Sequence, residues 1–275
     1  MTLSDRLSRL PAFGFGVSGA LATPLVSDQA CSALIHQMLE GGGAIFDTGP
    51  SYGGGLGEIR LGRALARHPD AFVMTKAGLL SSGLRKRSRD FSPEGLRASI
   101  EASIQRLGRP AIDLLWLHGP ARHEVTPEVI GLLSDLRAAG KVLHFGIAGR
   151  TDDVLAALDD PIFEAVMLPL NMTPGSSAPE WASKARTSGR AVFAIEVLGG
   201  LRSSGKMTRG RVWRAARRIV TRAAAPEISS TFKPEEALNW AYDNGGAEIA
   251  LMTTTSSAHL RANMAALAHR RFRPA

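Results

Sequence analysis

Cysteine is almost absent from this sequence, which contains one such residue, Cys31, among 275. A single thiol cannot form a disulfide within the chain, and this usage fits a reducing compartment. Cys31 lies in the apolar helical pattern SDQACSALIHQML. We therefore expect a buried structural thiol rather than a reactive one.

Secretory and membrane-spanning segments are also missing from the sequence. The first residues, MTLSDRLSRLPAFGFG, lack the long apolar core of a signal peptide. No other segment approaches the length of a membrane span. We therefore expect a cytoplasmic protein without a membrane partner.

Three common signals of active sites are absent as well. The histidines are scattered and the single cysteine has no partner, so we expect no metal site. There is no Gly-x-Ser-x-Gly elbow of the kind that presents a nucleophilic serine. The Gly14-Phe15-Gly16 run belongs to a predicted strand rather than opening a helix, and it is therefore not a dinucleotide fingerprint.

Acidic residues are missing from one long segment, a basic insertion at about 202–222 that contains eight lysines and arginines. The whole chain has a formal net charge of +8, which suits nucleic acid, an anionic surface or a phosphorylated ligand equally well. The segment is interpreted either as a phosphate clamp or as a solvated basic helix. Binding of single-stranded nucleic acid would require interleaved aromatic residues, and Trp213 is the only one, so no nucleic-acid partner is expected.

Eight apolar runs alternate with helical patterns along the chain, which is 44% hydrophobic. Alternation of this kind predicts a parallel sheet, and eight units predict closure into a (β/α)8 TIM barrel of the α/β class. We expect one domain over residues 1–275. The predicted strands are Phe13–Gly19 with its loop, Ala44–Asp47, Ala71–Lys76, Ile112–His118, Val142–Ala148, Phe163–Leu170, Ala191–Ile195 and Ala247–Met252.

Four polar side chains converge at the predicted mouth of this barrel. Asp47, Lys76 and His118 end the second, third and fourth strands, and Tyr52 lies in the loop after the second. Taken singly, each has a structural interpretation, such as a loop cap, an exposed strand end or a core histidine. Their common position at the carboxyl end of one barrel, where such folds carry their active sites, favours a catalytic set.

The set suits carbonyl reduction, in which the oxygen needs a proton as hydride reaches the carbon. A free phenol has a pKa of about 10 and is a slow acid at neutral pH, whereas a neighbouring ammonium stabilises a phenolate. We expect Tyr52 to be the general acid and Lys76 to supply that charge. Asp47 would position Lys76, and His118 would orient the substrate oxygen. The only other tyrosine, Tyr242, lies in a predicted packed helix.

The run from Asp47 to Gly53, with Glu58 and Leu61-Gly62 after it, resembles the strand-two signature of the aldo-keto reductase superfamily. The segment GLRASIEASIQRLGRPAIDLLWLHGP is similar to its third helix and fourth strand. Spacing between Tyr52 and Leu56 is most like that of bacterial aldose and pyridoxal dehydrogenases. Further resemblance lies in Leu198–Leu201 with Gly205-Lys206, and in Thr253–Thr255 with His259-Leu260 and Asn263.

This resemblance implies an NAD(P)-dependent oxidoreductase that interconverts an alcohol and an aldehyde, ketone or lactol. Asp47, Tyr52, Lys76 and His118 fall on the catalytic tetrad of the family. The implied cofactor is NADP or NAD, with NADPH favoured. The implied cofactor-binding residues are Ser18, Asp47, Gly149, Asn171, Leu198, Lys206, Thr253, Thr254, His259 and Asn263.

Several positions depart from the family pattern at the cofactor. Ala148-Gly149 replaces a Ser-Asn pair, Met167 replaces a glutamine, and Ile195 replaces a stacking aromatic and is followed by Glu196. Thr253-Thr254 and His259 replace a Lys-Ser pair and an arginine. Two alternatives therefore stay open, a non-catalytic nucleotide-binding regulatory barrel and a redox-neutral lyase or isomerase. The sequence does not specify the substrate or the oligomeric state.

Overall fold

The architecture is a closed barrel of eight parallel strands. The computed structural model describes residues 1–81, 88–199 and 232–272, with positions 216 and 220. The strands pair in the order β1-β8-β7-β6-β5-β4-β3-β2, which closes on itself and confirms the predicted barrel. Strands β1 to β8 span Phe13–Gly16, Ile45–Asp47, Phe72–Ala77, Ile112–His118, Val142–Ala148, Phe163–Pro169, Ala191–Ile195 and Ile249–Met252.

Helices surround the barrel, and their ends agree with the local sequence. Ser27 accepts a hydrogen bond from Ala30 N at 3.2 Å and so caps the second helix, and Ser92 caps the fourth with Pro93 at its first position. Helices α1 to α8 span Leu3–Leu7, Asp28–Glu40, Leu56–Ala64, Pro93–Leu107, Pro127–Ala138, Ala178–Thr187, Pro234–Asp243 and Ser257–Leu267.

Two connections differ from a simple strand–helix alternation. The described link between β5 and β6 contains a 3-10 helix, Asp152–Leu158, in place of an α-helix. After β3 the chain forms a short antiparallel hairpin of Leu79–Leu80 and Ser88–Arg89. Sequence periodicity did not predict this hairpin, because strands of two residues are too short to show one.

The barrel interior is filled by side chains from alternate strand positions. Trp116 and Phe193 meet there edge to face with ring centroids 5.1 Å apart. On β1 the inward position is Gly14, where a Cβ would lie 2.7 Å from Leu251 Cδ2 and 2.8 Å from Ile45 Cγ2. The neighbouring strands therefore fill the space that β1 leaves. The same inward alternation carries Asp47, Lys76 and His118 to the mouth.

The basic segment 202–222 lies outside the described residues apart from positions 216 and 220. Neither of its interpretations, phosphate clamp or solvated helix, is therefore decided. Across the described ranges, no helix combines the length and apolarity that crossing a bilayer requires. Within these same ranges, no group of three or more His, Cys, Asp or Glu side chains is arranged to hold a metal ion.

Candidate active site

A buried ion pair lies at the centre of the barrel mouth. Lys76 Nζ donates to Asp47 Oδ1 at 2.6 Å, to Asp47 Oδ2 at 2.5 Å and to the Thr48 carbonyl at 2.8 Å. Lys76 is 2% exposed and Asp47 is 5% exposed, so bulk water solvates neither charge. These contacts fix the position of the ammonium.

The electrostatics of this pair keep the ammonium protonated. Burial by itself would lower the pKa of Lys76, but the charge of Asp47 and the interactions with Tyr52 outweigh burial and raise that pKa above 10.5. For Asp47, burial raises the carboxyl pKa, and the Lys76 ammonium opposes this effect without cancelling it. The site therefore contains a permanent positive charge at neutral pH, beside a phenol.

Tyr52 and His118 lie next to the ion pair. Lys76 Nζ is 5.1 Å from the centroid of the Tyr52 ring, and the lysine and the phenol also share a hydrogen bond. The Tyr52 and His118 rings meet at 74° with centroids 6.2 Å apart. The structure thus brings the four predicted residues together, with Tyr52 and His118 half-buried at the surface of the mouth. Their catalytic roles stay a prediction.

The loop that carries Tyr52 depends on glycine. Residues Gly53–Gly55 form a 3-10 turn, and all three have positive φ angles, between 63° and 89°. A Cβ at Gly53 would lie 1.8 Å from the Ala22 carbonyl oxygen, so the turn packs directly on the backbone that follows β1. Only glycine combines this backbone conformation with this close approach.

The other tyrosine has a different environment. The Tyr242 hydroxyl donates to the Ala12 carbonyl at 2.5 Å and accepts from Ala250 N at 3.1 Å. Burial raises the pKa of Tyr242. This side chain joins the starts of β1 and β8 at the end of the barrel opposite the mouth, in agreement with the packed helix predicted from sequence.

The predicted cofactor-binding residues near the mouth differ in the hydrogen bonds that they already make within the protein. Thr253 Oγ1 donates to the Gly16 carbonyl at 3.0 Å and lies 3.5 Å from Ser18 Oγ, so these residues form one polar edge. Asn171 Oδ1 accepts from Thr173 N at 3.1 Å. A Cβ at Gly199 would lie 2.7 Å from Asn171 Nδ2, which shows how closely that amide packs on the loop after β7.

The other predicted cofactor-binding residues differ in how accessible they are to a ligand. Gly149 N already donates to the Met167 carbonyl at 3.1 Å, so only its carbonyl is left for a ligand. Leu198 is 36% exposed beside the mouth. Asn263 is 6% exposed, on the buried face of α8. Lys206 lies outside the described residues.

The N-terminus of α8 lies directly after β8. Ser256 Oγ accepts from His259 N at 3.3 Å, and Thr254 Oγ1 accepts from Ser256 N at 3.1 Å. An 11-residue helix that begins here directs its first backbone N–H groups and the positive end of its dipole toward this rim. Thr254 and His259 are thus placed where a phosphate group would find donors.

Two polar features were missed by sequence reasoning as parts of the site. Glu58 is fully buried, accepts from Thr75 Oγ1 at 2.5 Å and pairs with Arg106 Nε at 2.6 Å, which ties α3 to β3 and α4. Arg150 forms a bidentate ion pair with Glu196 at the mouth. The sequence shows Glu196 directly after the predicted strand end at Ile195. Its partner Arg150 is 46 positions away, and no local pattern connects the two residues.

The mouth offers groups of the kinds that a nicotinamide nucleotide requires. The last inward positions of β6 and β7 are Pro169 and Ile195, which are half-buried and offer a flat aromatic ring an apolar surface. A Cβ at Gly16 would lie 2.6 Å from Thr253 Oγ1, so the missing side chain leaves the polar edge open. The N-terminus of α8 supplies donors for phosphate. Tyr52 lies across the mouth from the apolar surface.

Comparisons with known proteins agree with this geometry. A model of the aldo/keto reductase family matches residues 13–274. The D-threo-aldose 1-dehydrogenase of a Pseudomonas species is 38% identical over 172 residues, 53% of this chain and 52% of that protein. Pyridoxal 4-dehydrogenase of Microbacterium luteolum is 31% identical over 175 residues, 50% of this chain and 51% of that protein. The chain thus spans about half the length of the curated relatives it matches.

A solved structure gives the same fold. The aldo-keto reductase of Bacillus halodurans superposes with a TM-score of 0.75 at 22% identity and covers 94% of this chain and 86% of that one. The superposition supports the barrel independently of sequence similarity.

Proposed function

The chain belongs to the aldo/keto reductase family, and we propose that it is an NAD(P)-dependent oxidoreductase that interconverts an alcohol and an aldehyde, ketone or lactol. The observation that carries this proposal is the contact of Tyr52 with the buried Lys76–Asp47 pair beside His118. Two relatives are named for oxidation of an aldose and of pyridoxal. We therefore propose a polar carbonyl compound or its lactol as the substrate.

Each residue of the tetrad has one role in this proposal. The Tyr52 hydroxyl donates its proton to the carbonyl oxygen in reduction and takes a proton back in oxidation. The Lys76 ammonium stabilises the negative charge that develops on the Tyr52 oxygen, and Asp47 holds the ammonium in place. His118 donates a hydrogen bond to the substrate oxygen and orients it. General acid catalysis of this type contributes about 10²- to 10⁴-fold in rate.

The nicotinamide nucleotide, when bound, supplies or accepts the hydride. We propose that Ser18, Thr253 and Asn171 line its path, with Thr254 and His259 at its phosphate end. Pro169 and Ile195 would receive the ring and exclude water from its face. We propose NADP or NAD as the cofactor, and titration with NADPH and NADH, followed by tryptophan quenching, would identify which one binds.

The first prediction compares two Tyr→Phe substitutions. Tyr52→Phe should lower kcat by about 10²- to 10⁴-fold on any accepted aldose or aldehyde, because the proton donor is lost. Its unfolding midpoint in urea should match that of the wild type. Tyr242→Phe is the matched control, since it removes the same atom at the other end of the barrel. It should leave kcat unchanged and lower stability by about 1–3 kcal/mol.

Three outcomes would contradict the proposal. Wild-type turnover in the Tyr52→Phe variant would remove Tyr52 from the mechanism. Tight binding of NADPH or NADH without turnover on a broad carbonyl and sugar panel would favour the regulatory barrel. Turnover without added nicotinamide would favour redox-neutral lyase or isomerase chemistry.

A further inference from the structure

Arg150 and Glu196 form an ion pair that crosses the end of one barrel strand. Arg150 Nη1 donates to Glu196 Oε2 at 2.6 Å, and Arg150 Nη2 donates to Glu196 Oε1, so the contact is bidentate. Arg150 follows the end of β5 by two residues, and Glu196 directly follows β7. Because β6 lies between these two strands, the pair spans its carboxyl end.

The backbone beside this contact has an unusual conformation at Glu196. Arg150 continues the inward alternation of Gly146 and Ala148, so its side chain starts from the face that looks into the mouth. Glu196 directly follows the inward residue Ile195, so regular strand alternation would direct its side chain away from the mouth. It has a φ of 55°, the only positive φ of a non-glycine residue in the described part of the chain. Such a conformation costs about 1–3 kcal/mol and is typical of functional sites.

An isolated rim ion pair would not account for that strain. Arg150 and Glu196 side chains are 64% and 40% exposed, and pairs with such exposure contribute about 0–1 kcal/mol. Glu196 also begins a turn in which its carbonyl accepts from Gly199 N at 2.6 Å, so the turn and the ion pair together hold a guanidinium and a carboxylate side by side at the mouth. This arrangement suits a ligand that needs one donor and one acceptor next to each other.

The surface below the pair has few polar groups to offer. Its inward positions, Pro169 and Ile195, have neither a donor nor an acceptor in their side chains, and the amide oxygen of Asn171 already accepts from Thr173 N. The backbone N–H of Gly149 is already used by the Met167 carbonyl. A nicotinamide ring placed on this surface would still need partners for its carboxamide, which has one carbonyl acceptor and one NH2 donor.

We propose that Arg150 and Glu196 together bind the carboxamide of the nicotinamide cofactor. Arg150 donates to the carboxamide oxygen, and Glu196 accepts from the carboxamide NH2. A pyrophosphate is not the ligand of this pair, because Glu196 would repel it. This inference rests on the proposed function, and it makes both side chains positioning residues rather than catalytic ones.

The test uses three probes that differ only at the nicotinamide end. They are NADP⁺, its 3-acetylpyridine analogue, in which a methyl group replaces the amide NH2, and 2′-phospho-ADP-ribose, which has no nicotinamide. The NAD⁺ series replaces them if the protein prefers NAD. Affinities of the wild type, Arg150→Met and Glu196→Met are measured by isothermal titration calorimetry, a readout that does not depend on turnover.

The two variants should respond differently to these probes. Arg150→Met should weaken both NADP⁺ and the acetylpyridine analogue by about tenfold, since both have the carbonyl. Glu196→Met should weaken NADP⁺ by about tenfold and leave the analogue unchanged. Neither should alter the affinity for 2′-phospho-ADP-ribose. Arg122→Met is the matched control, because Arg122 forms another exposed ion pair, with Asp159, and it should bind all probes like the wild type.

Three other outcomes of the titrations would contradict this inference. Wild-type affinities in both variants, with NADP⁺ bound by the wild type, would reduce the pair to a rim ion pair and leave the proposed function intact. Equal losses for 2′-phospho-ADP-ribose would show that the pair orders the loop after β7 and does not bind the carboxamide. Absence of binding of every dinucleotide to the wild type would overturn this inference and the proposed function together.

Discussion

Lys76 is a buried cation whose charge is stabilised by its neighbour Asp47. Both side chains are buried. Burial alone would lower the pKa of Lys76, but the Asp47 carboxylate raises it. A cation with a raised pKa stabilises the fold at every pH below its unfolded value, and this contribution is lost as the pH rises through the folded value. The Lys76 ammonium therefore keeps its favourable interaction with Asp47 throughout the neutral range and loses it in alkaline solution, as the pH rises through the raised pKa of Lys76.

Lys76→Met should consequently be among the most destabilising single changes. It leaves the Asp47 carboxylate buried without a counter-charge, which should lower the unfolding free energy at pH 7 by about 3–5 kcal/mol. The unpaired carboxyl is then stabilised by protonation. Urea unfolding should show that the variant regains stability as the pH falls from 7 toward the unfolded carboxyl value of about 3.9.

A double variant controls for loss of packing at this position. Asp47→Asn combined with Lys76→Met removes the charge that would be stranded, and it should recover most of the lost stability without recovering activity. A double variant no more stable than Lys76→Met would indicate that the pair matters for packing and not for charge.

At the scale of elements, the loop between β2 and α3 positions Tyr52, the proposed acid. Gly53 contacts the backbone at Ala22, whereas a Cβ at Gly54 would approach nothing closer than Ser81 Oγ at 4.0 Å. Both glycines have similar positive φ angles, 63° and 65°. The two positions therefore separate the effect of a close approach from that of backbone conformation.

Gly53→Ala should displace the Tyr52 loop, because its Cβ would lie 1.8 Å from the Ala22 carbonyl oxygen. We expect kcat/KM to fall more than about tenfold, which corresponds to a misplacement that costs at least 1.4 kcal/mol in the transition state. Gly54→Ala should lower stability by only about 1–2 kcal/mol, for the left-handed conformation, and preserve kcat/KM. Equal activities of the two variants would show that the contact with Ala22 does not set the position of Tyr52.

At the scale of the whole molecule, side chains fasten the barrel at the end opposite the mouth. Asp113 Oδ2 accepts from Val73 N at 2.9 Å, and Glu248 Oε2 accepts from Val192 N at 2.8 Å. Tyr242 joins β1 to β8 in the same region, at the seam where the first and last strands meet. These contacts lie at the end of the barrel away from the proposed active site, where side chains serve stability rather than chemistry.

A closed barrel with this shared interior should unfold as one unit. Trp116 is fully buried inside the barrel, whereas far-ultraviolet circular dichroism reports mainly on the surrounding helices. Denaturation curves followed by tryptophan fluorescence and by circular dichroism should therefore coincide, as expected for the single domain predicted over residues 1–275. Two separate transitions would show that part of the chain folds independently and would contradict that prediction.

Local sequence information was sufficient for the strands and for the positions of the four residues at the mouth. Alternation of apolar runs fixes which segments become strands, and parallel strands that close into a barrel bring their carboxyl ends to one mouth, so Asp47, Lys76 and His118 could be placed together. The role of Tyr242 in packing followed from the helical pattern around it. The two-residue hairpin and the 3-10 helix after β5 could not be anticipated, because neither has a periodic signal.

By itself, the sequence determined the barrel and the residues at its mouth, because both follow from periodicity and from strand ends. Only the tertiary structure decided how those residues interact across the mouth. The depth of burial that strengthens the Lys76–Asp47 pair and the turn at Glu196 that meets Arg150 depend on segments far apart in the chain. Charge interactions are set by distance and solvent access in three dimensions, and neither quantity is encoded in any local stretch of sequence.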